Sequence, residues 1–156
     1  MVDRIEFGDR KIGRAEPCFI IAEAGVNHNG SIEMAHQLVD AAVAAGADAV
    51  KFQTFKAEDL SIANAPKADY QRRNEDRDES SFEMLKRLEL DLDAHTLLME
   101  YCEQKGILFL STPFDEGSVD LLNDLGVGAF KIPSGEITNT PLLTYIAGKG
   151  KPLFVS

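Results

Sequence analysis

The chain has 156 residues, 44% of them hydrophobic, and carries 16 Lys and Arg against 26 Asp and Glu, a formal net charge of -10. That length and apolar share allow one domain with a true core and exclude a disordered chain. The summed negative field argues against a nucleic-acid or anionic-membrane surface, so an anionic ligand would need a local basic pocket.

Residues 4–12 alternate apolar and polar about Gly8-Asp9, the pattern of a short hairpin that would cap one end of a barrel. The charged start MVDRIEFGDRK lacks the apolar core of a signal peptide, and no run reaches the roughly 18 apolar residues of a membrane span. Cys18 and Cys102 stand far apart with no CxxC, which fits a reducing compartment, so a cytoplasmic protein is expected.

Residues 19–22 form a short apolar run that ends at Glu23. A glycine-bounded polar loop follows, then a helical pattern over 31–46, with Met34, Leu38, Ala41, Ala42 and Ala45 at helical spacing and Ser31 and Gly46 as caps. A second strand covers 49–53. The stretch from 54 to about 80, rich in Asp, Arg, Asn and Pro, reads as a long loop of the kind compact domains keep for function. Helices are expected at 82–88 and, from an Asp cap, at 93–105; then come a strand at 108–111, a helix at 116–125, a strand at 129–132, a helix at 142–147 and a fifth strand at 153–155.

Short apolar strands alternating with amphipathic helices specify right-handed parallel β/α units, so the fold class is α/β. The expected architecture is a TIM (β/α)8-type barrel represented by about its first five units, with 1–14 as the capping hairpin and 15–156 as the β/α portion. A closed barrel has eight units and typically about 250 residues, so the chain is expected to be a fragment.

Each strand-like run carries polar, reactive side chains at or near its end: Glu23, Lys51 and Gln53, Thr112, and Lys131 with Ser134 and Glu136. In a β/α repeat those ends converge on one mouth. Side chains alternate across a strand, so if Val50 and Phe52 pack on helices, Lys51 and Gln53 point into the barrel; the same parity turns Lys131 inward between Phe130 and Ile132. Two inward ammonium groups require an anion or carboxylate partners. The simpler alternative is that each lysine sits at the rim with its head in water. Glu23 shares parity with Phe19 and Ile21 and reads either as an acid-base carboxylate or as an ion-pair partner of Lys51, and Glu136 is open to the same two readings. Thr112 and Ser134 add hydroxyl donors, and Gly135 permits close backbone approach.

Asn29 and Gly30 read as turn and cap residues, with His28 undecided; His36 and His95 are expected at the surface. Tyr70, Gln71 and Asn74 lie in the long polar stretch, within reach of a polar substrate. The sequence has no HxH, HExxH or CxxC spacing for a metal, and no GxSxG, GxxxxGK[ST] or GxGxxG.

IIAEAGVNHNG, GADAVKFQTF, FEMLKRLEL, LFLSTPFD and AFKIPSGEITNTPLL followed by GKGKPLFVS run in this order through nearly the whole chain. Together they resemble the N-acetylneuraminate (sialic acid) synthase family, including legionaminate synthases and spore-coat polysaccharide enzymes; AGVNHNG is closer to the neuraminate and legionaminate wording than to that of pseudaminate synthases. The resemblance implies a homo-oligomeric TIM-barrel enzyme that condenses phosphoenolpyruvate with an N-acetylated amino sugar such as N-acetylmannosamine. The product is a nine-carbon 2-keto acid, with phosphate released. It implies that Lys51, Thr112, Lys131, Ser134 and Ser156 bind phosphoenolpyruvate, that Gln53 and Asn74 contact the sugar, that Glu23 is the catalytic carboxylate and that Glu136 supports them. It also implies a divalent metal, manganese or magnesium, that polarises the aldehyde, with its ligands and a C-terminal antifreeze-like domain beyond Ser156; the chain as given is therefore expected to be inactive. The alternatives are another phosphoenolpyruvate-dependent 3-deoxy-keto acid synthase, which needs a second phosphate site, and a non-catalytic half-barrel that binds sugar or phosphate.

Overall fold

The computed structural model describes residues 4–60 and 80–156; Tyr70, Gln71 and Asn74 lie outside the described residues. An antiparallel hairpin, β1 (Arg4–Phe7) and β2 (Arg10–Gly13), precedes β3 (Ile21–Gly25), α1 (Ile32–Ala44), β4 (Ala49–Thr54) and α2 (Ala57–Leu60). After the undescribed stretch come α3 (Ser81–Leu88), α4 (Leu92–Lys105), β5 (Leu108–Pro113), α5 (Glu116–Asp124), β6 (Phe130–Ile132), a 3-10 turn (Ser134–Glu136), α6 (Thr140–Ala147) and β7 (Leu153–Val155). This is an α/β fold of five strand units behind an N-terminal hairpin. The stretch expected to be a loop from residue 54 opens instead with α2.

Side-chain oxygens close the helix starts: Ser31 accepts from the Met34 amide, Asp91 from Ala94, Asp115 from Ser118 and Asn139 from Leu142, while Ser80 and Glu83 form a reciprocal capping box. Three of these starts, those of α1, α5 and α6, lie at the loops that leave β3, β5 and β6. Asp115 also accepts from the Lys56 amide, which ties the loop after β4 to the loop after β5.

β3, β4 and β5 form one parallel sheet, with Ile21 opposite Ala49, Glu23 opposite Lys51 and Gln53 opposite Thr112. β6 and β7 form a second parallel pair, and β5 lies beside β6 with no backbone ladder between them. The five strands are thus not one continuous sheet. Strand parity sorts the two faces. Val50, Phe52, Phe109, Phe130 and Ile132 face the helices and join the main core with Val39, Leu98, Leu122 and Ile146. Ala49, Leu110 and Ala129 face the other way, where Ile21, Leu108 and Phe154 meet the hairpin's Phe7 and Ile12. There the rings of Phe7, Phe19 and Phe154 lie 5.6–5.9 Å apart, so residues flanking β3 touch β7 across the inside of a curved strand array.

Two histidines depart from their expected surface positions. On α4 the spacing 95, 98, 102 puts His95 on the buried stripe with Leu98 and Cys102, and it is fully buried. Its Nδ1 lies 2.8 Å from the Asp91 carbonyl, and its Nε2 lies 2.8 Å from Thr54 Oγ1, which is itself 2.7 Å from Ser111 Oγ. His36 is half-buried and stacks on Tyr101 with ring centroids 4.0 Å apart. His28 is also fully buried; its Nδ1 accepts from the Gly30 amide at 3.0 Å. Two helix pairs share one clamp: Tyr101 and Lys105 of α4 both bond Asp40 of α1, and Tyr145 of α6 and Lys149 just past it both bond Asp120 of α5. Both cysteines are free, and burial pushes the Cys102 thiol up to about 12, leaving it unreactive.

Removing the Phe7 ring should cost about 3–5 kcal/mol, the usual range for a buried Phe→Ala, read as a lower urea midpoint. Burial pushes both His95 and His28 below the ordinary histidine value of 6.5. The unfolded chain therefore binds more protons than the folded one below that pH, and stability should fall as pH drops through it. Urea midpoints measured from pH 8 to 5 should show this loss, with a shallower slope in His95→Gln; an unchanged slope would contradict the buried neutral imidazole.

Candidate anion-binding site at the strand ends

One residue pair beyond the apolar inner layer, the inward face of the strands turns polar. Lys51 is only 8% exposed, because Val50 and Phe52 on either side are locked into the helix-facing core. Its ammonium lies 2.8 Å from Glu23 Oε2 and donates to Thr112 Oγ1 at 3.4 Å. Glu23 and Lys51 are direct register partners, and Gln53 is opposite Thr112 one step further along, so parallel pairing alone assembles these four side chains. The Glu23 side chain is 55% exposed, so the pair joins a sheltered cation to a carboxylate open to water.

Lys131 projects from β6 on the same inward face, between the buried Phe130 and Ile132. Its ammonium donates to the Ile132 carbonyl at 2.6 Å and to the Ser156 hydroxyl, which lies just past β7. Partial burial, together with the nearby Lys51 ammonium, holds Lys131 below the ordinary lysine range, while Glu23 pulls weakly the other way. Both lysines and Glu23 thus share one electrostatic neighbourhood.

The remaining sequence candidates are placed differently. Ser134 and Gly135 are exposed in the 3-10 turn that follows β6. Glu136 accepts from Asn139 Nδ2 at 2.7 Å, and Asn139 is the N-cap of α6, so Glu136 steadies a helix start. Asn74 lies outside the described residues. Sequence parity missed the outward partners of the site: Thr54 and Ser111, each next to an inward residue, join His95 in a buried chain of hydrogen bonds behind it. It also missed the small cluster of Phe55, Met84 and Leu88, packed with Val26 and Phe114, which seats α3 over the ends of β3, β4 and β5. The alternation of small polar residues in FQTF and LSTP was the only signal for Thr54 and Ser111.

Two open cavities lie elsewhere, about 640 Å³ along α6 at Tyr145 and Lys149 and about 520 Å³ between the hairpin and α4. Neither includes the strand-end charges. Among the described residues no group of three or more His, Cys, Asp or Glu is placed to hold a metal ion, and no helix is long and apolar enough to cross a membrane.

The model of the NeuB family matches residues 38–156. An N,N'-diacetyllegionaminic acid synthase of Campylobacter jejuni is 53% identical over 137 residues, covering 88% of this chain and 41% of that protein. The pseudaminic acid synthase of the same organism is 35% identical over 139 residues, covering 88% and 40%. Among solved structures, the N-acetylneuraminic acid synthetase of Leptospira borgpetersenii, in complex with citrate, is 35% identical with a TM-score of 0.80, over 97% of this chain and 48% of that one. The chain therefore spans less than half the length of these relatives.

An NMR titration of the lysine side chains should find Lys131 releasing its proton at lower pH than Lys86, which its bonds to Glu58 and Glu89 hold above the ordinary lysine range. The reverse order would contradict the shared neighbourhood of Lys51 and Lys131.

Proposed function

The chain belongs to the NeuB family, and on that premise we propose that its strand-end site binds phosphoenolpyruvate for condensation with an N-acetylated amino sugar. The observation that carries this reading is that two lysines, Lys51 and Lys131, turn to the same inward strand face, with the Glu23 carboxylate bonded to Lys51, in a protein whose net charge is otherwise strongly negative. Such a site has one natural occupant, a small multiply charged anion, since charge-assisted hydrogen bonds are strongest to carboxylate and phosphate.

In this reading Lys51 and Lys131 neutralise the carboxylate and phosphate of phosphoenolpyruvate, and the hydroxyls of Thr112, Ser134 and Ser156 fix its orientation. The C=C π pair of phosphoenolpyruvate forms the bond from its methylene carbon to the aldehyde carbon of the open-chain sugar, while the C=O π pair moves onto the aldehyde oxygen, which takes a proton from solvent and becomes a hydroxyl. Water adds at the adjacent electron-poor carbon, and the carbon–oxygen bond to phosphate then breaks. Glu23, exposed on one side and paired with Lys51 on the other, takes the proton from that water. Gln53 meets the sugar, Asn74 is proposed as a second contact, and Glu136 acts through Asn139 on the loop that carries Ser134. A divalent metal would supply polarisation of the aldehyde; the described residues do not fit as its ligands.

Isothermal titration of phosphoenolpyruvate into the intact protein tests the reading. Lys51→Ala and Lys131→Ala should each weaken binding roughly 10- to 100-fold, since a hydrogen bond to a charged group contributes about 1.5–3 kcal/mol. Unchanged affinity in both variants would sink the anion site. Phosphate release with N-acetylmannosamine, and none with arabinose 5-phosphate, separates this reading from a 3-deoxy-keto acid synthase acting on a phosphorylated sugar.

A further inference from the structure

The pairing of β3 with β4 does not run straight to its end. Ile21, Ala22 and Glu23 meet Ala49, Val50 and Lys51 in step, but Gly25 meets Phe52, leaving Ala24 as an extra residue in a β-bulge. Bulges re-aim side chains next to them. Here the neighbouring side chain is Glu23, and the bulge ends at a glycine with φ +55°.

The positive φ is not by itself what demands glycine. Four residues later, in the loop after β3, Asn29 adopts φ +51°, so this chain does place a side chain in that region of backbone space. What distinguishes Gly25 is its surroundings. A Cβ at this position would stand 2.9 Å from Glu23 Oε1 and 3.8 Å from Gln53 Nε2. Glu23 Oε2 lies 2.8 Å from the Lys51 ammonium. The carboxylate, on a side chain 55% exposed, thus stands with one oxygen at the Lys51 ammonium and the other beside the bare Gly25 α-carbon, and a Cβ at residue 25 would require that second oxygen to shift.

We propose that Gly25 is a positioning residue for the acceptor side of the site: its missing side chain sets where the Glu23 carboxylate stands relative to Lys51 and to the Gln53 amide. This rests on the reading of Glu23 and Gln53 given above. The anion side is built from Thr112, Lys131 and Ser156, on or beside other strands, together with Lys51, whose place is fixed by the core-facing Val50 and Phe52 on either side of it.

Steady-state kinetics of the intact protein with phosphoenolpyruvate and N-acetylmannosamine test the proposal. Gly25→Ala should lower kcat/KM for the sugar roughly 10- to 100-fold, the scale set by a displacement of about an ångström in a catalytic group, and leave KM for phosphoenolpyruvate within about threefold. Gly106→Ala controls for backbone strain, because Gly106 has φ +69° and a Cβ there meets nothing within 4 Å. It should lower the melting temperature without changing kcat/KM. Gly25→Asn, which tolerates positive φ yet carries a Cβ, should lose activity like Gly25→Ala and keeps the test open if the alanine variant folds poorly. In a Glu23→Gln background Gly25→Ala should add little further loss. Full activity in Gly25→Ala and Gly25→Asn, or an undiminished effect of Gly25→Ala in the Glu23→Gln background, overturns the positioning role alone. Full activity of Glu23→Gln overturns the catalytic reading of Glu23, and this proposal with it.

Discussion

A lysine ammonium drawn almost out of water inside a strand mouth must be matched, and at 2.8 Å the Glu23 carboxylate matches Lys51. The pair is not a buried ion pair in the full sense, because Glu23 remains open to solvent. It is better described as a cation held in place by its own strand, with a carboxylate that water can reach and that therefore retains freedom to act. Lys131, the second cation in the same neighbourhood, has no carboxylate bonded to it among the described residues; it donates to a backbone carbonyl and the Ser156 hydroxyl. The result is a local excess of positive charge in an acidic chain, the condition for concentrating an anion at one spot.

The rest of the architecture maintains that arrangement. Behind the inward residues, Thr54 and Ser111 bond each other and His95, so the ends of β4 and β5 are locked to α4 by a buried polar chain whose members are satisfied. Below them, Phe7, Phe19 and Phe154 close the apolar interior, with the hairpin as a plug. Above them, the cluster around Phe55 and Met84 seats α3 on the strand ends. Each layer limits the motion of a different part of the site. The apolar plug and the strand-end charges accordingly occupy opposite ends of the same strands.

Much of this was legible in the residues. The alternation in AVKFQ and AFKIP is enough to turn Lys51 and Lys131 inward, because a side chain flanked by two core-facing neighbours has only the other face to occupy. Ser31 and the Asp cap of the helix expected at 93–105 marked two helix starts for the same local reason: an oxygen two or three residues ahead of unpaired amides satisfies them wherever the helix lies. His95 was misplaced because a histidine reads as polar, although its spacing to Leu98 and Cys102 sets it on their stripe; the hydrogen bond to Thr54 that satisfies it there is a tertiary contact. Gly25 was invisible as a determinant, since a glycine after a strand usually means no more than a turn.

By itself, then, the sequence determined the α/β class, the order of its units, the inward direction of the two lysines and the family motifs, all of which follow from local periodicity and residue chemistry. Tertiary structure decided which of those residues meet: the pairing of Glu23 with Lys51, the separate bonding of Lys131 to Ser156, the diversion of Glu136 to a helix cap and the break between β5 and β6. The reason is physical. Parity fixes the face on which a side chain lies, but register, strand curvature and a single bulge fix its position to within an ångström, and those arise from contacts between segments far apart in the chain.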